Sequence, residues 1–162
     1  MKSTSRIAAG ALLLASTVGF AQSPTASANA TCTILTAISL AKNSDLVFGN
    51  VAPTGSAGTV VLSAAGSRTP TNVTLASGTF NAASFTATGT GSQTFTITPD
   101  SSASLSDGAS HTLTVDSFTT SAGAGTLSSG NQTFTLGGTL HVGASQVSGA
   151  YTGTFNVTVA YN

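Results

Sequence analysis

The C-terminal stretch Gly149-Ala150-Tyr151-Thr152-Gly153-Thr154-Phe155-Asn156-Val157-Thr158-Val159-Ala160-Tyr161-Asn162 decides the fold class. Phe155, Val157, Val159 and Tyr161 alternate with Thr154, Asn156, Thr158 and Ala160, and a period of two gives one apolar and one wet face only in an extended strand. Two internal segments repeat the pattern. Phe95 and Ile97 lie between Thr94, Thr96 and Thr98, and Phe134 and Leu136 alternate with Thr133 and Thr135. Composition agrees: the 162 residues include 29 Thr and 24 Ser but no Glu and no Trp, and only 5% are charged, so exposed helices would lack their usual formers. Thr suits the pleat, and its hydroxyl meets water without a charge. The chain therefore reads as all-β, an antiparallel sandwich of roughly seven to nine strands. Disorder is disfavoured, because 40% of residues are hydrophobic and the formal net charge is zero.

Short alternating runs separated by Gly, Ser, Pro and Asn predict strands near residues 31–40, 46–51, 59–63, 72–76, 84–88, 94–98, 112–118, 132–142 and 152–161, with a break near Gly137-Gly138. Gly91-Ser92-Gln93-Thr94-Phe95-Thr96-Ile97-Thr98 is echoed by Gly130-Asn131-Gln132-Thr133-Phe134-Thr135-Leu136-Gly137, which is too short for a structural repeat and suggests two equivalent strands of one sandwich.

At the N-terminus Lys2 and Arg6 precede an apolar run from Ile7 to Phe20, and small residues follow. This predicts a secretory signal over 1–21, with an alternative end at 30, since Gly19-Phe20-Ala21 and Ala28-Asn29-Ala30 both place small residues where signal peptidase needs them. A run of fourteen residues is too short to span a hydrocarbon core of roughly 30 Å as a helix. Residues 22–30 read as a flexible lead-in and 31–162 as a single domain, exported through the Sec route and the periplasm to the cell surface or medium.

Without the leader, Lys42 and Arg68 face Asp45, Asp100, Asp107 and Asp116, a net charge of −2. Nucleic acid is excluded as a partner because no basic stripe exists to bind it, and attachment to anionic lipid fails for the same reason. Few strand edges carry a protecting Lys or Pro, which favours either closure or pairing with another chain.

The inventory for chemistry is nearly empty. Besides the four Asp there are two His, two Tyr and one Cys. His111 and His141 are thirty residues apart, unlike a helical metal pair, and each fits a strand end facing solvent. No Gly-x-Ser-x-Gly elbow positions a serine nucleophile. Asp100 and Asp107 flank a serine-rich loop without the spacing of a calcium site, and Asp107-Gly108 is a turn signal. Thr-x-Thr pairs recur without a constant step, so a repeat-built Thr array is not expected. No enzyme activity, cofactor or metal site is expected. Cys32, alone in an exported chain, cannot form an internal disulfide and reads best as a small buried hydrophobe.

The two ends carry the remaining signal. Cys32, Ile34, Ile38 and Leu40 share one face of an extended segment, interrupted by Thr36, and such a ribbon can add as a strand to a neighbouring sheet. At the other end stand Gly149, Phe155, Val157, Val159 and the penultimate Tyr161. This end resembles the closing strand of chaperone-usher pilus subunits, which a periplasmic chaperone reads. The string Asp45-Leu46-Val47-Phe48-Gly49-Asn50-Val51-Ala52-Pro53, then Gly58-Thr59-Val60-Val61-Leu62, together with the run from Gly149 to Val159, resembles a secreted bacterial family catalogued as domain of unknown function 4402. That family is similar in outline to the fimbrillins of the Mat (common) pilus. The resemblance covers residues 31–162 and implies a pilin-like, immunoglobulin-like sandwich displayed on the surface of a Gram-negative bacterium. Pilins often have a disulfide near the N-terminus, and here Cys32 stands alone.

The function expected is a structural subunit that self-associates by donating its N-terminal ribbon. One alternative is a monomeric surface or matrix module binding glycans through loops near 64–71 or 121–130, although Tyr151 and Tyr161 are the only tyrosines and Trp is absent. The other is an eight-stranded outer-membrane barrel, opposed by the short strands and the missing aromatic girdles.

Overall fold

A computed structural model describes Gly19 and residues 22–162; the rest of the expected leader lies outside the described residues. Residues 22–33 carry no strand and are exposed, Cys32 among them as a free thiol. The chain from Ile34 to Asn162 forms one compact unit.

That unit is all-β and antiparallel, as the alternation requires. Its strands are β1 (Ser39–Ser44), β2 (Val51–Pro53), β3 (Gly58–Leu62), β4 (Arg68–Thr71), β5 (Val73–Leu75), β6 (Ala83–Thr88), β7 (Thr94–Pro99), β8 (Ser102–Ser106), β9 (Thr112–Thr120), β10 (Ala124–Thr126), β11 (Asn131–Val142) and β12 (Val157–Tyr161). They build three open sheets, not one closed barrel. A seven-stranded sheet runs β1-β6-β11-β3-β4 and adds β9 and β8 beside β11; smaller sheets run β10-β7-β12 and β2-β5.

β11 organises the large sheet. Its first half, Asn131 to Leu136, pairs with β6, and from Gly138 to Val142 it pairs with β3. The break expected at Gly137-Gly138 is thus a change of partner within one continuous strand. Opposite the same point β9 bulges: Thr119 faces Gly137 and Asp116 faces Thr139, while Ser117 takes a left-handed φ of 50°. A bulge shifts the side-chain phase by one. Leu113 and Val115 are buried before it, and Phe118 packs against both cores after it.

Two apolar clusters fill the space between layers. In the first, Phe85, Ala87, Phe134 and Leu136 of the large sheet meet Phe95 and Ile97 of β7, with Phe155, Val157, Val159 and Tyr161 packed alongside. Phe95 and Phe134, the equivalent residues of the two echoed segments, are 0% and 1% exposed, so the echo marks two strands facing each other across this core. In the second, Val60, Leu62, Leu113, Val115, Leu140 and Val142 lie beneath Phe48 and the side chains of β2 and β5. The outer faces keep the threonines, as in the Thr86 to Thr133 hydroxyl contact of 2.9 Å.

Several expected boundaries move. The strand expected over 31–40 begins only at Ser39, because the residues ahead of it have no sheet partner. For the same reason Cys32 is exposed, not buried. The strand expected at 46–51 is reduced to an isolated bridge at Val47 before β2, and 152–161 narrows to β12. The stretches read as loops near 64–71, 100–107 and 121–130 contain β4, β8 and β10.

Candidate functional site

The two chain ends meet at a clasp. Thr36 donates its backbone N–H to the Thr90 hydroxyl at 2.8 Å. Tyr161 accepts the Thr90 N–H at 2.8 Å and donates its hydroxyl to the Thr36 carbonyl, also at 2.8 Å. The fit depends on Gly89, where a Cβ would lie 2.1 Å from the Tyr161 oxygen. Alternation carries Tyr161 to the inner side of β12, and its polar tip finds partners at the rim, as half-buried tyrosines must. Tyr161→Phe leaves the Thr90 N–H and Thr36 carbonyl without this partner and is expected to cost about 1–2 kcal/mol, read from a urea unfolding curve.

The clasp divides the N-terminal ribbon. Ile38 and Leu40 pack against the first core of their own domain, so half of the face singled out in the sequence is used within the chain. Ahead of Thr36 the situation reverses. Ile34 is 91% exposed and Leu35 37%. Gly149, at the start of the C-terminal run, is exposed, whereas Phe155, Val157, Val159 and Tyr161 are half-buried.

Sequence reasoning missed a second feature, an apolar groove of about 1010 Å³ between the stretch 44–53 and the stretch 146–155. Its floor includes Phe85, Leu105, Leu113, Leu140 and Val142, and its walls include Leu46, Phe48, Tyr151 and Phe155. One wall is held by the bridge of Val47 to Asn81 and by the pairing of β2 with β5, the other by the bridge of Thr152 to Ser106. The walls are tied together at one end, where the Ser145 N–H donates to the Thr54 carbonyl at 3.1 Å. At one end the Lys42 ammonium meets the Asp45 carboxylate, so the rim balances its own charge. The signal lay in the composition of 44–53, apolar on both faces yet too irregular to pair along its length.

The titratable groups are paired singly. His111 Nδ1 lies 2.6 Å from Asp107 and His141 Nε2 lies 2.9 Å from Asp116. The histidines do not form a shared site, and among the described residues no three His, Cys, Asp or Glu side chains gather as metal ligands would. The His111 side chain, helped by the Ala109 N–H, holds Asp107 below the usual carboxylate range, and His141 does the same for Asp116. A depressed folded-state pKa means that the unfolded chain binds more protons, so this stabilisation is present above about pH 4 and is lost as pH falls through the depressed values. Urea midpoints measured from pH 6 to pH 2 are therefore expected to fall less steeply below pH 4 for Asp107→Asn/Asp116→Asn than for the parent.

Arg68 is structural. Its Nη1 donates to the Phe48 carbonyl at 2.7 Å and its guanidinium lies 4.0 Å from the Phe80 ring centroid. It thereby holds one wall of the groove against the β3-β4 edge.

No helix among the described residues is long and apolar enough to cross a membrane. The family described as Domain of unknown function (DUF4402) matches residues 38–161. No curated protein and no solved structure matches the chain.

Proposed function

The chain belongs to the family DUF4402, whose function is unknown, so its role must come from its own geometry, and we propose a non-enzymatic, exported structural subunit of a surface fibre. It is pilin-like in its mode of work: subunits join by strand addition, and a periplasmic chaperone covers the apolar ends in transit. The observation that carries this reading is the 91% exposure of Ile34 on a ribbon without a sheet partner, about twice that of Val147, Val61, Phe80 or Val47. An isolated exposed isoleucine is ordinary, but one beside Leu35 on an unpaired extended segment offers both backbone and side chain to a neighbour. The leader, the near absence of charge and the sparse catalytic inventory support the same reading.

The test is Ile34→Asp expressed in a Gram-negative host. Its unfolding free energy is expected to stay within about 0.5 kcal/mol of the parent, because the side chain is exposed. Surface fibres counted by immuno-electron microscopy are expected to fall at least tenfold. Fibres as abundant as those of the parent would defeat the reading.

A further inference from the structure

The geometry points to the groove between residues 44–53 and 146–155 as a blind slot for the hydrocarbon tail of a single-chain lipid whose head group has no net charge. This inference does not draw on the strand-addition reading, which stands or falls on the fibre count of Ile34→Asp.

The walls decide the class of occupant. Along the first wall the backbone is largely spent: the Asp45 carbonyl accepts from the Asn81 amide, the Phe48 carbonyl from Arg68 and the Asn50 carbonyl from the Ala76 N–H, while Val51 to Pro53 pair with β5. Val47 exchanges bonds with Asn81, and on the other wall Thr152 does so with Ser106. A peptide strand entering here would bury its own N–H and C=O groups between walls with few partners left to offer, and unpaired buried backbone groups are costly. A hydrocarbon chain makes no such demand. It needs only apolar surface, which the floor supplies through Phe85, Leu105, Leu113, Leu140 and Val142.

The shape fixes how the chain lies. Thr54 and Ser145, bonded to each other, stand immediately beyond Pro53 and Gln146, so this tie closes one end of the groove. The other end lies at Lys42, Asp45 and Phe155, where no backbone bond joins the walls among the described residues. There Phe85 pairs with Lys42 in the β1–β6 register and meets the Phe155 ring. A volume of about 1010 Å³ is at the upper end for small-ligand sites and accommodates one long tail. Val47 is 38% and Val147 46% exposed, one on each lip, so apolar surface continues to the entrance. Charge selects the head. Lys42 and Asp45, the two charged side chains of the groove, pair with each other, so no cation is left over to hold a fatty-acid carboxylate. A head without net charge stays in water beside that pair while the tail runs in towards the tie.

The test is calorimetric titration of the purified protein with lysophosphatidylcholines of increasing tail length, each below its micelle-forming concentration. Affinity is expected to rise about fourfold with each added methylene and then to level off once the tail meets the closed end. A fatty acid of the same tail length is expected to bind at least threefold more weakly. Ala52→Arg on one wall and Ala150→Arg on the other, both at exposed positions, are expected to weaken binding at least tenfold while thermal unfolding stays near that of the parent. Val61→Ser, at an exposed position on β3 outside the groove, is expected to leave binding unchanged. No binding, affinity that never levels off, a fatty acid bound as tightly, or wall variants no more affected than Val61→Ser would overturn the inference. Displacement of the bound lipid by a peptide of residues 30–38 would assign the groove to a ribbon and overturn it too.

Discussion

Phe134→Ala is expected to lower the unfolding free energy by about 3–5 kcal/mol, measured as a shift of the urea midpoint at unchanged slope. Phe134 is 1% exposed at the centre of the first core. Its ring stacks on Phe85, directly opposite on β6, with centroids 5.7 Å apart. Phe85 meets Phe155 edge-on at 6.5 Å, and Phe155 stacks on Phe118 at 4.9 Å. These four rings link the large sheet to the C-terminal segment and reach the boundary of the second core. Removing the first ring deletes its burial and leaves a void that strands on either side cannot close, since both are fixed by their ladders. A domain of this size has about 5–15 kcal/mol in total, so the variant sits near the threshold of folding. A loss below about 1 kcal/mol would mean that the rings do not form one packed unit.

Gly137→Ala is expected to cost about 3 kcal/mol or more, although it adds a single methyl group at a residue without a left-handed φ. The added Cβ would lie 2.1 Å from the Leu62 carbonyl oxygen and 2.6 Å from the Ala64 nitrogen. Both are backbone atoms at the end of β3, so no rotamer change relieves the contact. The strand end must move, and with it the β3-β11 ladder that begins at Gly138 and Leu62. Hydrogen exchange separates this from a uniform loss: the amides of β3 are expected to lose protection first, while those of β7 and β12 hold. Protection unchanged in β3 would show that the close approach is dispensable.

How far the sequence specified this architecture depends on what each segment packs against. β7, β11 and β12 were legible because each has one face on the core, which imprints a period of two on the residues. β4 and β8 left no such print. Arg68-Thr69-Pro70-Thr71 lies at a sheet edge where Pro70 is tolerated, and Ser102-Ala103-Ser104-Leu105-Ser106 buries only a small Ala103 and part of Leu105. The partner change of β11 was visible only as a suspected break, since a glycine pair signals close approach without saying what approaches. Of the candidate site, the exposed ribbon could be quoted from the sequence but not divided into an inner half and an outer half. That division is made by Tyr161 reaching 125 positions back along the chain to Thr36. Of the groove only one wall left a trace, in the composition of 44–53, because the stretch it faces, 146–155, lies far along the polypeptide.

The clasp has a mechanical meaning. Ladder bonds between antiparallel strands lie across the strand direction. A pull on the chain ahead of Thr36, directed along β1, therefore loads the bonds between β1 and β6 together in shear instead of peeling them one after another, and the Tyr161 hydroxyl bears load at the point where the force arrives. A chain of such units under tension would grip hardest along its own axis, and its resistance to stretching would come from the arrangement of ordinary hydrogen bonds, without a covalent crosslink.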